Sequence, residues 1–262
     1  MRRRQILLLL DAFAGLVAPL PAAAQQPPAV AAAASLRYAL DEAAAAFTRE
    51  TGKQVRISYA ASGNLVQQIA NGAPYQLFLS ADEGHVFRLA EQKLAQDRGT
   101  VYAIGRLALM VPAGSALAVD PQLRGFSRAL ADGRIRKLAI ANPETAPYGA
   151  RAREVLQRQK LWKLAEPRLV IGENIGQAFQ FASSGGADAG FVSLSLVLSP
   201  GFTGRYAVID SGWHQPLVQR MVLLNGAGAD ARAFHDWLLS PAGQKILARY
   251  GYSPPPGRRG AR

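Results

Sequence analysis

Apolar positions along the chain switch between two periods, and the switching predicts an order of elements. Leu36, Leu40, Ala44 and Phe47 recur at helical spacing and belong on one helix face. Val55, Ile57 and Tyr59 alternate as a half-buried strand does. Leu65 and Ile69 mark a short helix, and Leu77-Phe78-Leu79 a buried strand. Val86, Leu89 and Ala90 suit a helix expected to end near Gly99. A long extended segment over 101–111 follows and is stopped by Pro112. The pattern then repeats. Leu138-Ala139-Ile140 reads as a strand, 151–159 as a helix entered through Pro147-Tyr148-Gly149, and Leu169-Val170-Ile171 as a strand. Ile175, Ala178, Phe179 and Ala182 form a helical stripe, and Gly190-Phe191-Val192 a short buried strand. Residues 221–224 predict a strand, and 231–250 one closing helix with Phe234, Leu238 and Ile246 inward. Such strand–helix alternation predicts an α/β fold with mostly parallel sheets covered by helices.

Open α/β sheets bind ligands at the carboxyl ends of their strands, where loops lead into helix N-termini. Four junctions qualify: Ala34-Ser35, Ala61-Ser62-Gly63, Pro147-Tyr148-Gly149 and Glu173-Asn174-Ile175-Gly176. Each offers unpaired backbone N–H groups at the positive end of a helix dipole, which is what an anion requires. Ser35 and Ser62 are expected at N-cap positions. Plain helix capping is the alternative role for both hydroxyls.

Composition narrows the class. The 262 residues are enough for one large domain or two smaller ones, and half of them are hydrophobic (49%). Arg2, Arg3 and Arg4, an apolar run to about Leu20 and the small Ala22-Ala23-Ala24 predict a secretory signal over 1–24, with the mature chain starting near Gln25. Asp11 interrupts the run, which is too short for a membrane span. Without cysteine there is no disulfide, thiolate metal site or cysteine nucleophile. The net charge of +12 is dispersed. Its short clusters, Arg134 to Lys137 and Arg258-Arg259, lack the interleaved aromatics of a nucleic-acid surface. His85, His214 and His235 have no paired metal-ligand spacing, and no nucleophile elbow or phosphate loop appears. Asp82 and Glu83 are explained as carboxylates at a helix start, and Gly185-Gly186 as a turn.

At the same junctions the sequence resembles the periplasmic molybdate-binding protein family, over roughly residues 30–252. The resemblance is carried in order by Ala32-Ala33-Ala34-Ser35-Leu36, Ala61-Ser62-Gly63-Asn64-Leu65, Asn71-Gly72-Ala73-Pro74-Tyr75 and Leu79-Ser80-Ala81-Asp82-Glu83. Tyr102-Ala103-Ile104-Gly105-Arg106-Leu107, the run from Ala141 to Gly149, Gly172-Glu173-Asn174-Ile175-Gly176 and the run from Gly185 to Val192 continue it. The resemblance implies a two-lobed periplasmic binding protein fold of type II, each lobe a mostly parallel sheet flanked by helices. Lobe I would hold 25–106 and 216–262, and lobe II 107–215, with crossings near 105–109 and 213–219. It further implies capture of molybdate or tungstate by hinge closure and delivery to the membrane permease of an ABC importer. The expected protein is a periplasmic monomer with no cofactor, no catalytic residues and no nucleic-acid partner.

The family's contact positions fall on Ser35 and Ser62, through hydroxyl and N–H, and on the backbone N–H groups of Tyr148 and Ile175. Some members place a tyrosine hydroxyl where this chain has Ser193. Here Tyr148 fills a position those members give to a small residue, so its contribution is its hydroxyl, its backbone or both; Ala34 stands where a related branch sometimes has threonine and offers only its backbone. Neutral donors suit a dianion, because dense hydrogen bonding offsets its burial without a counter-charge. A donor-only site also rejects protonated phosphate, which must donate its proton to an acceptor. The alternatives are another oxyanion such as sulfate or phosphate, or an enzyme on the same fold.

Overall fold

The computed structural model describes residues 26–255; the expected signal peptide and the Arg258-Arg259 pair lie outside them. From the start of the described chain run β1 (Ala29–Ala33), a 3-10 turn (Ala34–Leu36), α1 (Arg37–Thr51), β2 (Arg56–Ala60), α2 (Ser62–Ala70), β3 (Leu77–Ser80), α3 (Gly84–Glu91) and β4 (Thr100–Gly105). Next come β5 (Leu107–Val111), α4 (Arg124–Ala131), β6 (Leu138–Ala141), α5 (Pro147–Arg158), α6 (Trp162–Ala165), β7 (Leu169–Gly172), α7 (Ile175–Ser183), β8 (Ala189–Ser193), α8 (Leu194–Val197) and β9 (Arg205–Val208). The chain closes with β10 (Leu217–Leu223), α9 (Ala229–Leu239) and α10 (Pro241–Arg249).

These strands form two five-stranded sheets with matching layouts, β2-β1-β3-β10-β4 and β7-β6-β8-β5-β9. In each sheet four strands point the same way and one is reversed, β10 in the first and β5 in the second. The reversed strands are the two that follow a passage from one sheet to the other. The fold is thus two-lobed and α/β, with mixed, mostly parallel sheets flanked by helices. Alanine and β-branched residues make β1 and β6 almost fully buried, as a strand covered on both faces must be. The α1 face that packs inward carries Ala39, Leu40, Ala43 and Phe47, and Phe47 meets Phe234 and Trp237 of α9.

Several expected boundaries move for identifiable reasons. The extended segment over 101–111 is two strands in different sheets, parted at Arg106, whose carbonyl accepts from Leu194 N–H at 2.9 Å. The third helix ends at Glu91, not near Gly99, because Lys93 takes a left-handed φ of 57° and Leu94 N–H bonds back to Leu89 O. The helix entered through Pro147 already begins at that residue, since proline's missing N–H is no loss at a first helical position. The closing helix is two helices. Pro241 cannot continue α9, and Ser240 Oγ accepts from Gly243 N–H at 3.3 Å to start α10. The patterning did not anticipate β1, α4, α6, α8 or β9.

Candidate functional site

The parallel strands β1, β2, β6 and β7 all end toward one place, and the segments after them meet there. Ala34, Ser35, Ser62, Tyr148 and Ile175 line a single pocket. Ala33, Ala60, Ala61, Ala81, Ala146 and Pro147 complete its wall. Two sequence junctions from each sheet have thus converged.

Local sequence leaves each helix start open. The N-cap of α2 is Ala61 and that of α5 is Ala146, and neither has a side chain that can cap. In α7, Asn174 Oδ1 accepts from Gly176 N–H at 2.9 Å and Gln177 N–H at 3.1 Å, which leaves the first N–H, that of Ile175, uncapped. Proline at 147 makes the N–H of Tyr148 the first of α5. The N–H groups of Ser62, Tyr148 and Ile175 therefore have no intrahelical acceptor. None of α1, α2, α5 and α7 has an acidic residue in its first turn to offset the dipole. Close packing brings α5 to the site: a Cβ on Gly149 would stand 2.2 Å from Ala141 O, so only glycine lets the helix start reach the end of β6.

The two serines do not cap helices, which corrects that expectation. Ser35 lies in the 3-10 turn, and its Oγ is buried without a hydrogen-bond partner. Ser62 is the first residue of α2, and its Oγ accepts from Ala81 N–H at 3.1 Å. Each hydroxyl thus retains a proton with no acceptor. The carbonyl of Ser35 is fixed from behind by Ser195 Oγ at 2.6 Å and the Tyr252 hydroxyl at 3.0 Å. Ser193 lies outside the pocket wall and contacts Ser195 Oγ at 3.0 Å.

Tyr148 is buried (2% exposed), and burial holds its phenol well above the ordinary tyrosine range, so it is neutral. Its hydroxyl accepts from Gln219 Nε2 at 3.0 Å, and the Ser35 side chain lies beside it without bond geometry. No charged side chain lines the pocket. The space open to the centre of a water-sized sphere is about 10 Å³. That is room for about one water-sized group, far below an organic-ligand cleft.

The sheets are held together around this chamber. Gly63 N–H donates to Thr145 O at 2.9 Å across the seam, beside the Ser195–Ser35 and Gln219–Tyr148 bonds. Sequence reading missed Thr145, Ser195, Gln219 and Tyr252. Only Gln219 left a signal, a polar residue in phase with Leu217 and Met221 on the buried face of β10.

The other candidates have ordinary partners. Asp82 Oδ1 accepts from His85 N–H at 3.1 Å and contacts His85 Nδ1 at 2.7 Å. Burial raises the Asp82 carboxyl, but the His85 bonds and charge outweigh it, so the net shift is downward. Glu83 pairs with Arg220 at 2.7 Å, and Gly185 supplies a turn at φ 79°. Among the described residues no group of His, Cys, Asp and Glu could hold a metal ion, and no helix is long and apolar enough to cross a membrane.

Two sheets of this layout have known counterparts. The family model for bacterial extracellular solute-binding proteins matches residues 28–253. The chain belongs to that family. A molybdate-binding protein of Rhodobacter capsulatus is 36% identical over 236 residues, covering 89% of this chain and 90% of its own. The solved periplasmic molybdate-binding protein of Azotobacter vinelandii superposes with a TM-score of 0.80 at 34% identity, covering 87% of this chain and 99% of its own. A sulfate-binding protein of Mycobacterium tuberculosis superposes with a TM-score of 0.71 at 15% identity, over 89% of this chain and 88% of its own, a likeness of fold alone. These relatives are solute-binding proteins, not enzymes, and a periplasmic location fits them.

Proposed function

We propose that this protein captures molybdate or tungstate in the periplasm and hands it to the permease of an ABC importer. The observation that carries the reading is the unpartnered, buried Ser35 hydroxyl in a chamber of open helix N-termini without a charged side chain. Ser35 and Ser62 would donate through hydroxyl and N–H, Tyr148 and Ile175 through backbone N–H, and Ala34 would contribute backbone alone. Partial charges from several helix starts stabilise a dianion there, where a neutral ligand would leave the donors unmatched. The molybdate-binding names of relatives at 34–36% identity favour molybdate over sulfate, for which the likeness is one of fold only.

Binding would proceed by closure of lobe I (25–106 and 216–262) on lobe II (107–215), each lobe bringing two of the four helix starts. Gly63 N–H to Thr145 O would then be a contact of the closed state. The protein would act as a monomer, without a cofactor and after removal of residues 1–24. Thermal unfolding of the mature chain with molybdate, tungstate, sulfate or phosphate at equal concentration tests this. A ligand at about 100 times its dissociation constant adds roughly 2.7 kcal/mol, a shift of several degrees. Molybdate and tungstate should raise the midpoint, while sulfate and phosphate leave it in place. An equal shift with sulfate overturns the cargo assignment, and no shift with any anion overturns the oxyanion reading.

A further inference from the structure

Behind the chamber, a buried polar chain links it to the strands on either side of the lobe crossings. Gln219 of β10 is fully buried, opposite Ala103 of β4, at the point where the ladder register shifts. Its amide contacts two phenols, Tyr148 at 3.0 Å and Tyr102 at 2.8 Å, and the Tyr102 hydroxyl also lies 3.1 Å from Ser80 O. The contact requires glycine at 105, where a Cβ would stand 2.3 Å from the Tyr148 hydroxyl and 2.4 Å from Gln219 Nε2. Tyr102 and Tyr148 are both held neutral by burial, so each has one proton to give.

The same heavy-atom positions accommodate two hydrogen orders, because a carboxamide presents a donor at one end and an acceptor at the other. In the first, with the amide turned by half a rotation, Tyr102 donates to Ser80 O, the amide nitrogen donates to Tyr102, and Tyr148 donates to the amide oxygen. Every contact is then used once, and the Tyr148 proton is spent inside the protein. The second is the order in which the structure holds the amide: its oxygen accepts from Tyr102, which takes that proton from Ser80 O, and its nitrogen donates to Tyr148. The Tyr148 proton is then released toward Ser35, Tyr252 and the chamber. An anion favours the second, because a hydrogen bond to a charged acceptor is about twice as strong as a neutral one.

We propose that Gln219 is a positioning residue whose amide orientation decides whether the Tyr148 hydroxyl donates to the bound oxyanion. The proposal rests on the oxyanion reading above and adds a third side-chain donor to the two serine hydroxyls, with its control located on the crossing strand. Discrete reorientation of one amide would couple occupancy of the chamber to the strand that enters lobe I.

The test is a double-mutant cycle on the full mature chain, with molybdate affinity measured by calorimetry and the ligand-free melting point recorded for each variant. Tyr148→Phe should weaken binding by about 10-fold or more, the loss expected for a hydrogen bond to a charge. Gln219→Leu should weaken it less, and the double variant should be no weaker than Tyr148→Phe alone. Gln219→Glu supplies a second readout. A carboxyl buried there titrates at raised pH; when neutral it has one donor and one acceptor as the amide does, and when ionised it only accepts. Binding by Gln219→Glu should therefore approach the wild type at pH 6 and fall by pH 8, with a smaller fall in the Tyr148→Phe background. Additive losses in the cycle, or an equal pH dependence with and without the Tyr148 hydroxyl, overturn the relay while leaving the oxyanion reading intact. Failure of the wild-type chain to bind molybdate or tungstate overturns that reading instead.

Discussion

Replacing Ser35 by alanine separates two effects that usually share a sign. In the ligand-free protein the Ser35 hydroxyl is 1% exposed by residue and has no hydrogen-bond partner. An unsatisfied buried polar group costs about 1–3 kcal/mol, and alanine removes it with little loss of volume. Ser35→Ala should therefore stabilise the empty protein, by about 1 kcal/mol at the low end of that range. For a chain of this size that is a rise of roughly 2–4 °C in the melting point. The same substitution deletes a donor to the proposed dianion. A hydrogen bond to a charge contributes about 1.5–3 kcal/mol, so affinity should fall by roughly 10- to 150-fold. The assay is thermal unfolding without ligand and with saturating molybdate, paired with calorimetric titration. The expected pattern is a higher empty midpoint together with a smaller ligand-induced shift. A lower empty midpoint would show that the hydroxyl has a stabilising partner, and unchanged affinity would remove Ser35 from the donor set.

The neighbouring serine should behave differently, because Ser62 Oγ accepts from Ala81 N–H at 3.1 Å. Ser62→Ala leaves that buried N–H unmatched, so the stability of the empty protein and its binding free energy should each fall by about 1–3 kcal/mol; a rise in the empty midpoint would contradict the geometry. Phe47, 1% exposed, packs with its ring centroid 5.1 Å from that of Phe234, tilted, and 6.0 Å from that of Trp237, edge to face. Phe47→Ala should cost about 3–5 kcal/mol in urea unfolding, and a loss under 1 kcal/mol would refute the packing argument. Burial lowers the pKa of His214 below 6.5, and its Nδ1 lies 2.7 Å from Gln215 O. Above pH 6.5 the ring is neutral in both states and its contribution is complete; as pH falls through the lowered folded value, the unfolded chain binds the proton first and stability declines. Melting points between pH 8 and 5 should fall more steeply for wild type than for His214→Asn, and parallel curves would exclude this group as the cause.

Much of the architecture was legible because it is written in local periods. The stripe Ile175, Ala178, Phe179 and Ala182 is α7, and the alternation at 55–59 is the half-buried edge strand β2. What failed was punctuation. Pro241 had the information to break the closing helix, while nothing apolar or polar in 101–111 marks the passage between sheets except Arg106, a single residue. The helix end at Glu91 depends on a left-handed lysine, a conformation that sequence signals poorly. Within the chamber, residues 35, 62, 148 and 175 were each readable as helix starts, but a serine before a helix reads as a cap. The distinction lies in register: Ala61, not Ser62, precedes α2, and the 3-10 turn at Ala34–Leu36 displaces Ser35 from the start of α1.

The chamber's size is the property least available to one-dimensional reading, yet its ingredients are plain. Five of its wall residues are Ala33, Ala60, Ala61, Ala81 and Ala146, with Ala34 beside them, scattered over more than a hundred positions. Alanine is common in buried strands for packing reasons alone, so none of these is informative singly. Together they leave a small space bounded almost wholly by methyl groups and backbone. One added methylene on any of them would occupy volume that the ion needs, and an interior packed as tightly as a crystal has little slack to give it back. In the proposed site charge would select for a dianion through the donors, most of them backbone groups that any sequence possesses and two of them serine hydroxyls. Size would select among dianions through the alanines. Substitutions at the alanine wall should therefore alter the ranking of oxyanions, while substitutions at Ser35 and Ser62 should weaken all of them together.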